Sequence, residues 1–369
     1  MNGIWTYADF LPRIPEEKRL TIGEGHTPLL RSRRIGAALG LDNLFFKLET
    51  ANPTGSYKDR FAASAVSHLQ TIGAPCAIGT SSGNTGSALA ACCAAAGIPC
   101  VLVIVEGAPA GKVCQMQVYG AQLLTVKGFG KDPEITKNTF ETLRILAREM
   151  NSSPMISAYC HCPEGMQGVE TISFELASVK ALADCLNVFV PSGGGGLALA
   201  IALGFEKWRG KHPGFSMPRI HCVQPAGNDT IAGAIRSQSL RSRPIERSQT
   251  RISGLQVPSV LDGDKVLQAC RNSGGTGQLV SDEDVYFWQR ELAVKEGIFA
   301  EPAGAVSLAG AVAALEANEL SRDEPVVCVI SGIGFKDSPS YEAMAGKFPM
   351  RTMDSVEACR IEIKRSLSD

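Results

Sequence analysis

The 369-residue sequence predicts an α/β fold of mostly parallel sheets with helices on both faces, and three observations carry that expectation. Apolar, strand-like runs alternate with helical patterns from about Gly23 to Ile330, the pattern of strand–crossover–strand units. Three glycine-containing turns, at 80–86, 191–197 and 331–337, follow such runs at the strand ends, where α/β sheets bind ligands. The length exceeds one small core and suits two domains, or one large unit with an inserted lobe.

In chain order, residues 1–19 carry aromatic and charged side chains with two prolines. They read as an arm lying on the first domain or on a neighbouring subunit. Leu44–Leu48 reads as a strand. Asn52-Pro53-Thr54-Gly55 is a turn cluster, after which Ser56 can cap a helix with apolar positions Phe61, Ala62, Ala65, Val66 and Leu69. Cys76–Gly79 is a short apolar run and Asn84–Ala96 is helical in composition. Val101–Val105 and Gln122–Val126 read as strands flanking a helix at Lys112–Tyr119, with a long helix at Pro133–Met150. The alternation resumes with Ile156–Tyr159, a helix across Val169–Ala181, a strand at Val188–Val190, a helix opening at the glycines 193–196 and a strand at Ile220–Val223. Residues 237–251 are polar and basic and read as an exposed loop. Helices near Asp282–Glu296 and Ala303–Ala317, the strand Val326–Ile330 and a charged tail complete the chain.

Thirty-six basic side chains against 37 acidic ones, with no long basic block, give nothing to attract nucleic acid. The N-terminus lacks the basic–apolar–small pattern of a secretory signal, and every apolar run is interrupted before membrane-spanning length, so a cytoplasmic, membrane-free protein is expected. Twelve cysteines then read as reduced thiols. Cys160-His161-Cys162 and Cys92-Cys93 have poor spacing for one metal, because adjacent residues of a strand face opposite ways, and no metal is expected.

The chemistry gathers around Lys58. Its ammonium falls in the first helical turn, where the helix dipole favours anions, so the neutral amine or a neutral covalent adduct is the less strained state. Such a lysine suits Schiff-base chemistry. Thr80-Ser81-Ser82-Gly83-Asn84-Thr85-Gly86 collects hydroxyls, an amide and backbone N–H groups at one helix start, a site suited to a carboxylate. Gly193, Gly194, Gly195 and Gly196 run consecutively at a strand–helix junction, a costly placement that a nest of N–H groups around a phosphate explains. The run has neither the Gly-Lys-Ser/Thr ending of a Walker motif nor the spacing of a dinucleotide fingerprint. Ser331 places a hydroxyl at a strand end, where it could meet a ring nitrogen.

Lys58 and the three turns together resemble the fold type II pyridoxal-phosphate enzymes, the tryptophan synthase β-like family. Thr54-Gly55-Ser56-Tyr57-Lys58-Asp59-Arg60 is similar to the lysine motif of threonine synthases, with Tyr57 where phenylalanine is usual. Gly23-Glu24-Gly25-His26-Thr27-Pro28-Leu29, the stretch from Glu296 to Ala303 and Gly332-Ile333-Gly334-Phe335-Lys336-Asp337 also resemble threonine synthase stretches. The resemblance implies two three-layer αβα lobes: residues 20–50 plus 160–340 as the larger, cofactor-phosphate domain and 51–159 as the smaller, substrate-side domain, with an arm at 1–19 and a tail at 341–369. It implies a homodimer and a pyridoxal 5'-phosphate cofactor held by Lys58, by the glycines 193–196, by Asn84 at the phenolic oxygen and by Ser331 at the pyridine nitrogen. Ser81, Ser82 and Thr85 would hold the carboxylate of a small amino-acid substrate, with Lys112 and Ser157 at its side chain. A hydroxyl at the pyridine nitrogen favours elimination over reactions that need a long-lived carbanion.

Two departures bear on the substrate. The run from Ser192 to Gly196 is closer to serine and threonine dehydratases, and Cys162 stands where threonine synthases carry a phosphate-binding arginine. The implied activity is a threonine synthase-like lyase acting by β- or γ-elimination, with possible replacement, on a small hydroxy or O-activated amino acid. β-Replacement of the cysteine or cystathionine synthase type and a non-catalytic amino-acid sensor are the alternatives.

Overall fold

In the computed structural model, which describes residues 2–81, 83–108, 110–182 and 186–366, two sheets share the chain. The larger runs in the order β1 (Leu29–Arg31), β2 (Leu44–Leu48), β9 (Val326–Ile330), β6 (Asn187–Pro191), β7 (Arg219–Pro225) and β8 (Gly277–Val280). The smaller is β3 (Ala77–Thr80), β4 (Cys100–Ile104) and β5 (Gln122–Thr125). Every pairing is parallel except β1 with β2, the mostly parallel α/β arrangement expected. β6 and β9 are buried along their whole length, as Val-rich strands covered on both faces must be.

One apolar cluster joins the lysine helix (Lys58–Ile72), the Ala-rich helix Asn84–Ala96 and the helix Gly196–Lys211. A second packs the helices Asp282–Glu296 and Pro302–Glu316 on the other face of the large sheet. The N-terminal arm joins the first cluster: Ile4 and Trp5 are buried in it, and the Trp5 indole donates to Leu20 O at 2.6 Å. Its alternative placement, on a neighbouring subunit, is not what buries these residues.

Several expectations need correction. Ile156–Tyr159 is not a strand. The N–H groups of Tyr159 and Cys160 donate to the Asp262 carboxylate at 2.8 and 3.1 Å, so those two groups are not in a ladder. The helix expected across 169–181 divides into Pro163–Val169, Thr171–Ala177 and a 3₁₀ turn at Lys180–Leu182. The basic loop 237–251 is mostly exposed, as expected, and is tied down by buried Ser242 and Thr250, which hydrogen-bond Asp264 and Asp282 respectively. Ser56 is a weak cap, with its hydroxyl 3.4 Å from Lys58 N, while its backbone bridges Gly332.

Asp59 and Arg60, in the first turn of the lysine helix, are wholly buried. Arg60 forms ion pairs with Glu49 at 2.8 Å and Glu175 at 2.5 Å, and Glu175 also meets Lys47. The Asp59 carboxylate accepts from Thr54 N at 2.6 Å and from the Thr54 hydroxyl, which ties the turn to the helix start.

Candidate active site

The three turns open on one cleft of roughly 1000 Å³ between the two sheets. Lys58, Ser81, Asn84, Thr85, Lys112, Ser157, the glycines 193–196 and Ser331 all line it. Ser82 lies outside the described residues. Parallel strands explain the convergence: the ends of β3, β6 and β9 deliver their turns to the same edge of the fold.

Lys58 projects into the cleft from the first turn of its helix, and its Nζ donates to Ser157 Oγ at 2.6 Å. That hydroxyl is 2.9 Å from Thr85 Oγ1, at the start of helix Asn84–Ala96, so amine and hydroxyls form one relay. The amine also lies 4.3 Å from the centre of the Tyr57 ring. Loss of hydration pulls the Lys58 pKa down to about 7, against the opposing fields of Glu301 and Asp262. Near neutrality a large share of this lysine is therefore the neutral, nucleophilic amine.

The glycine run turns the chain from β6 into the helix Gly196–Lys211. Gly195 takes φ +95°, a left-handed conformation open to glycine, and a Cβ there would crowd Val266 at 2.8 Å. A Cβ on Gly194 would crowd Leu261 at 2.7 Å. The run thus leaves its backbone facing the cleft at a helix N-terminus, where free N–H groups and the dipole favour an anion.

Glu301 lines the cleft and Asp262 acts on Lys58 from behind it, although no sequence signal nominated either. Glu301 is 3% exposed, accepts from Asn84 Nδ2 at 2.7 Å and lies 3.8 Å from Lys112 Nζ. Burial pushes its pKa up, and Lys112 and Asn84 oppose that. Lys112, expected at the substrate, is buried in the cleft wall and also donates to Ser253 Oγ at 3.2 Å. Lys336 donates to Gln115 Oε1 at 2.6 Å, and burial brings its pKa down to about 8. Cys162 is buried among apolar side chains, its thiol pushed up to about 12, and it does not line the cleft.

The sequence matches the pyridoxal-phosphate dependent enzyme family over residues 20–332. The chain belongs to that family. It is 33% identical over 350 residues to the threonine synthase of Methanocaldococcus jannaschii, covering 95% of this chain and 84% of that protein. It is 34% identical over 336 residues to the threonine synthase of Methanosarcina acetivorans, covering 90% and 80%. Among solved structures, maize serine racemase superposes with a TM-score of 0.71 at 23% identity, covering 88% of this chain and 93% of that one. Threonine deaminase isoform 2 from Solanum lycopersicum gives 0.71 at 21% identity, covering 94% of each. These likenesses show the fold type II architecture.

As a member of this family the chain is a pyridoxal-phosphate-dependent lyase of the threonine synthase-like group, and the residues in the cleft fit the cofactor. A helix N-terminus with a glycine-only approach suits its phosphate, and Lys58 is a partly neutral amine within the same cavity. Asn84 Oδ1 is buried without a hydrogen-bond partner, an unmet acceptor that a bound polar ring would satisfy.

Proposed function

We propose that the enzyme eliminates a β- or γ-oxygen leaving group from a small amino acid whose oxygen is free or acylated, giving a keto acid once the unsaturated product hydrolyses. The observation that carries this reading is the relay from Lys58 Nζ through Ser157 Oγ to Thr85 Oγ1, at 2.6 and 2.9 Å. Pyridoxal phosphate, when bound, supplies the sink for the electron pair left at the α-carbon. The start of helix Asn84–Ala96, with Ser81 and Thr85, holds the substrate carboxylate against N–H groups and hydroxyls. Lys58 Nζ, partly neutral near pH 7, takes the α-proton. The Ser157 hydroxyl passes a proton to the departing oxygen and regains one from the Lys58 ammonium that donates to it, so the leaving group exits neutral while the C–O bond breaks. Lobes 51–159 and 20–50 plus 160–340 divide this work: the smaller contributes Lys58, Thr85 and Lys112, the larger the glycine run and Ser331.

Phosphohomoserine is the second reading, favoured by Lys112 and Lys336 in the cleft wall and by the name of the curated relatives. Product analysis of the purified yellow protein incubated with serine, threonine, phosphoserine and phosphohomoserine separates them. Keto acid and ammonia from serine or threonine support the first reading, and threonine from phosphohomoserine as the best reaction replaces it with the second.

A further inference from the structure

Glu301 is a buried carboxylate that the proposed proton relay does not use, and it meets charge from several elements. Lys112 approaches from the helix Ala110–Val118, Lys336 and Asp337 from the turn after β9, and Lys58 and Tyr57 from the start of the lysine helix. Its own backbone N–H donates to Gly332 O at 2.9 Å, and a side chain on Gly332 would collide with the carboxylate, so Glu301 has little room to turn away. Asn84 Nδ2 donates to it at 2.7 Å. An ionised carboxylate only accepts hydrogen bonds, so it selects the NH₂ end of the Asn84 amide and leaves Oδ1 buried and unpartnered, as observed. A protonated carboxyl could donate to Oδ1 and turn the amide over.

We propose that Glu301 is a positioning residue that orients the Asn84 amide, and through it sets the proton affinity of the cofactor ring oxygen that Asn84 faces. Lys112 and Lys336 favour the ionised form of Glu301 and oppose the effect of its burial. The inference rests on the cofactor reading given above.

The test uses holoenzyme reconstituted with pyridoxal 5'-phosphate as wild type, Glu301→Gln, Asn84→Ala and the double variant. The visible absorption is titrated with pH, and borohydride labelling of Lys58 is scored in the same samples. Glu301→Gln should lower the midpoint of the visible transition by about one unit, a tenfold loss of proton affinity, because an anion that favours the protonated form is gone. In the Asn84→Ala background the same change should add little, since the amide is the intermediary. A purely structural role would lower thermal stability or cofactor content and leave the midpoint in place. An unchanged midpoint in Glu301→Gln, or fully additive shifts in the double variant, overturns the proposal. If Glu301→Gln does not retain cofactor, Glu301→Asp carries the same cycle: it keeps the charge, lengthens the contact and should shift the midpoint less, with additivity again decisive. Failure of borohydride to label Lys58 in the wild type would instead overturn the cofactor placement, which keeps the two failures apart.

Discussion

At the scale of single residues, the fate of Lys58 turns on desolvation against charge. Burial lowers its pKa from the ordinary 10.5 to about 7, although Glu301 and Asp262 pull the other way. Only the neutral amine attacks an aldehyde, so recombination of apoenzyme with pyridoxal phosphate should accelerate as pH rises through about 7 and level off well below 10. Stopped-flow absorbance across pH 5.5–9 checks this, and a rate still climbing tenfold per unit above about pH 8.5 contradicts it. Lys58→Ala should abolish turnover and the borohydride-stable adduct while leaving the circular dichroism spectrum unchanged, and labelling at another lysine would move the assignment. Lys58, Asn84 and Thr85 were legible as cleft residues because each stands in a short motif of fixed order, whereas Ser157 and Lys112 were reached only through the family resemblance. Glu301 and Asp262 were not legible. Glu301 sits inside a stretch that already resembled threonine synthases, yet nothing in its neighbours shows that Asn84, 217 positions away, would meet it. Asp262 acts on backbone N–H groups, which leave no trace in side-chain pattern.

At the scale of elements, the lysine helix is anchored by charges it buries on the side away from the cleft. Arg60, with no exposed surface, pairs with Glu49 and Glu175, and Thr171 accepts from it at 2.8 Å. Removing one partner strands the others in a medium that solvates them poorly, so Arg60→Ala should cost about 3–5 kcal/mol in urea denaturation. Glu175 adds a pH dependence. Burial raises its pKa, but Arg60 and Lys47 outweigh that and bring it to about 2, below the usual 4.5. Its contribution is therefore complete above about pH 4.5 and lost as the pH falls from there towards 2. Arg60→Ala should flatten that part of the acid-stability curve, and an unaltered curve would place the acid sensitivity elsewhere. The glycine run makes a second prediction. Gly194→Val or Gly195→Val would press on Leu261 or Val266, so the loop itself must shift and cofactor retained after dialysis should fall. Full retention would locate the phosphate elsewhere. Long elements such as Asn84–Ala96, Asp282–Glu296 and β9 were readable because composition and bounding turns agree. The edge strands β1 and β8, three and four residues long, were not, since tertiary pairing rather than local pattern defines them.

At the scale of the whole molecule, two sheets hold a cleft whose inner charges are already committed, and this decides the expected substrate. Lys112 is paired with Glu301 and bonded to Ser253, and Lys336 is bonded to Gln115 with Glu301 and Asp59 nearby. Arg251, Arg290 and Lys347 also line the cleft, but Arg251 pairs with Asp282 and Glu283, and Arg290 with Glu291. The loop that would bring a guanidinium to a substrate phosphate instead carries Cys162, which is buried in the core. Lys347 is exposed and has no ion pair among the described residues, so a dianion bound against the inner wall must draw Lys112 or Lys336 from an existing partner. A hydrogen bond to a charged group is worth about 1.5–3 kcal/mol, so the lost pairing should cost tenfold or more in kcat/KM. Steady-state assays should therefore rank serine, threonine or an O-acylated amino acid above phosphohomoserine by at least about tenfold. Lys112→Ala should then depress kcat/KM by a similar factor for phosphorylated and unphosphorylated substrates. If phosphohomoserine is preferred and Lys112→Ala removes that preference, Lys112 exchanges Glu301 for the substrate phosphate on binding, and the inner charges are less committed than their pairing indicates.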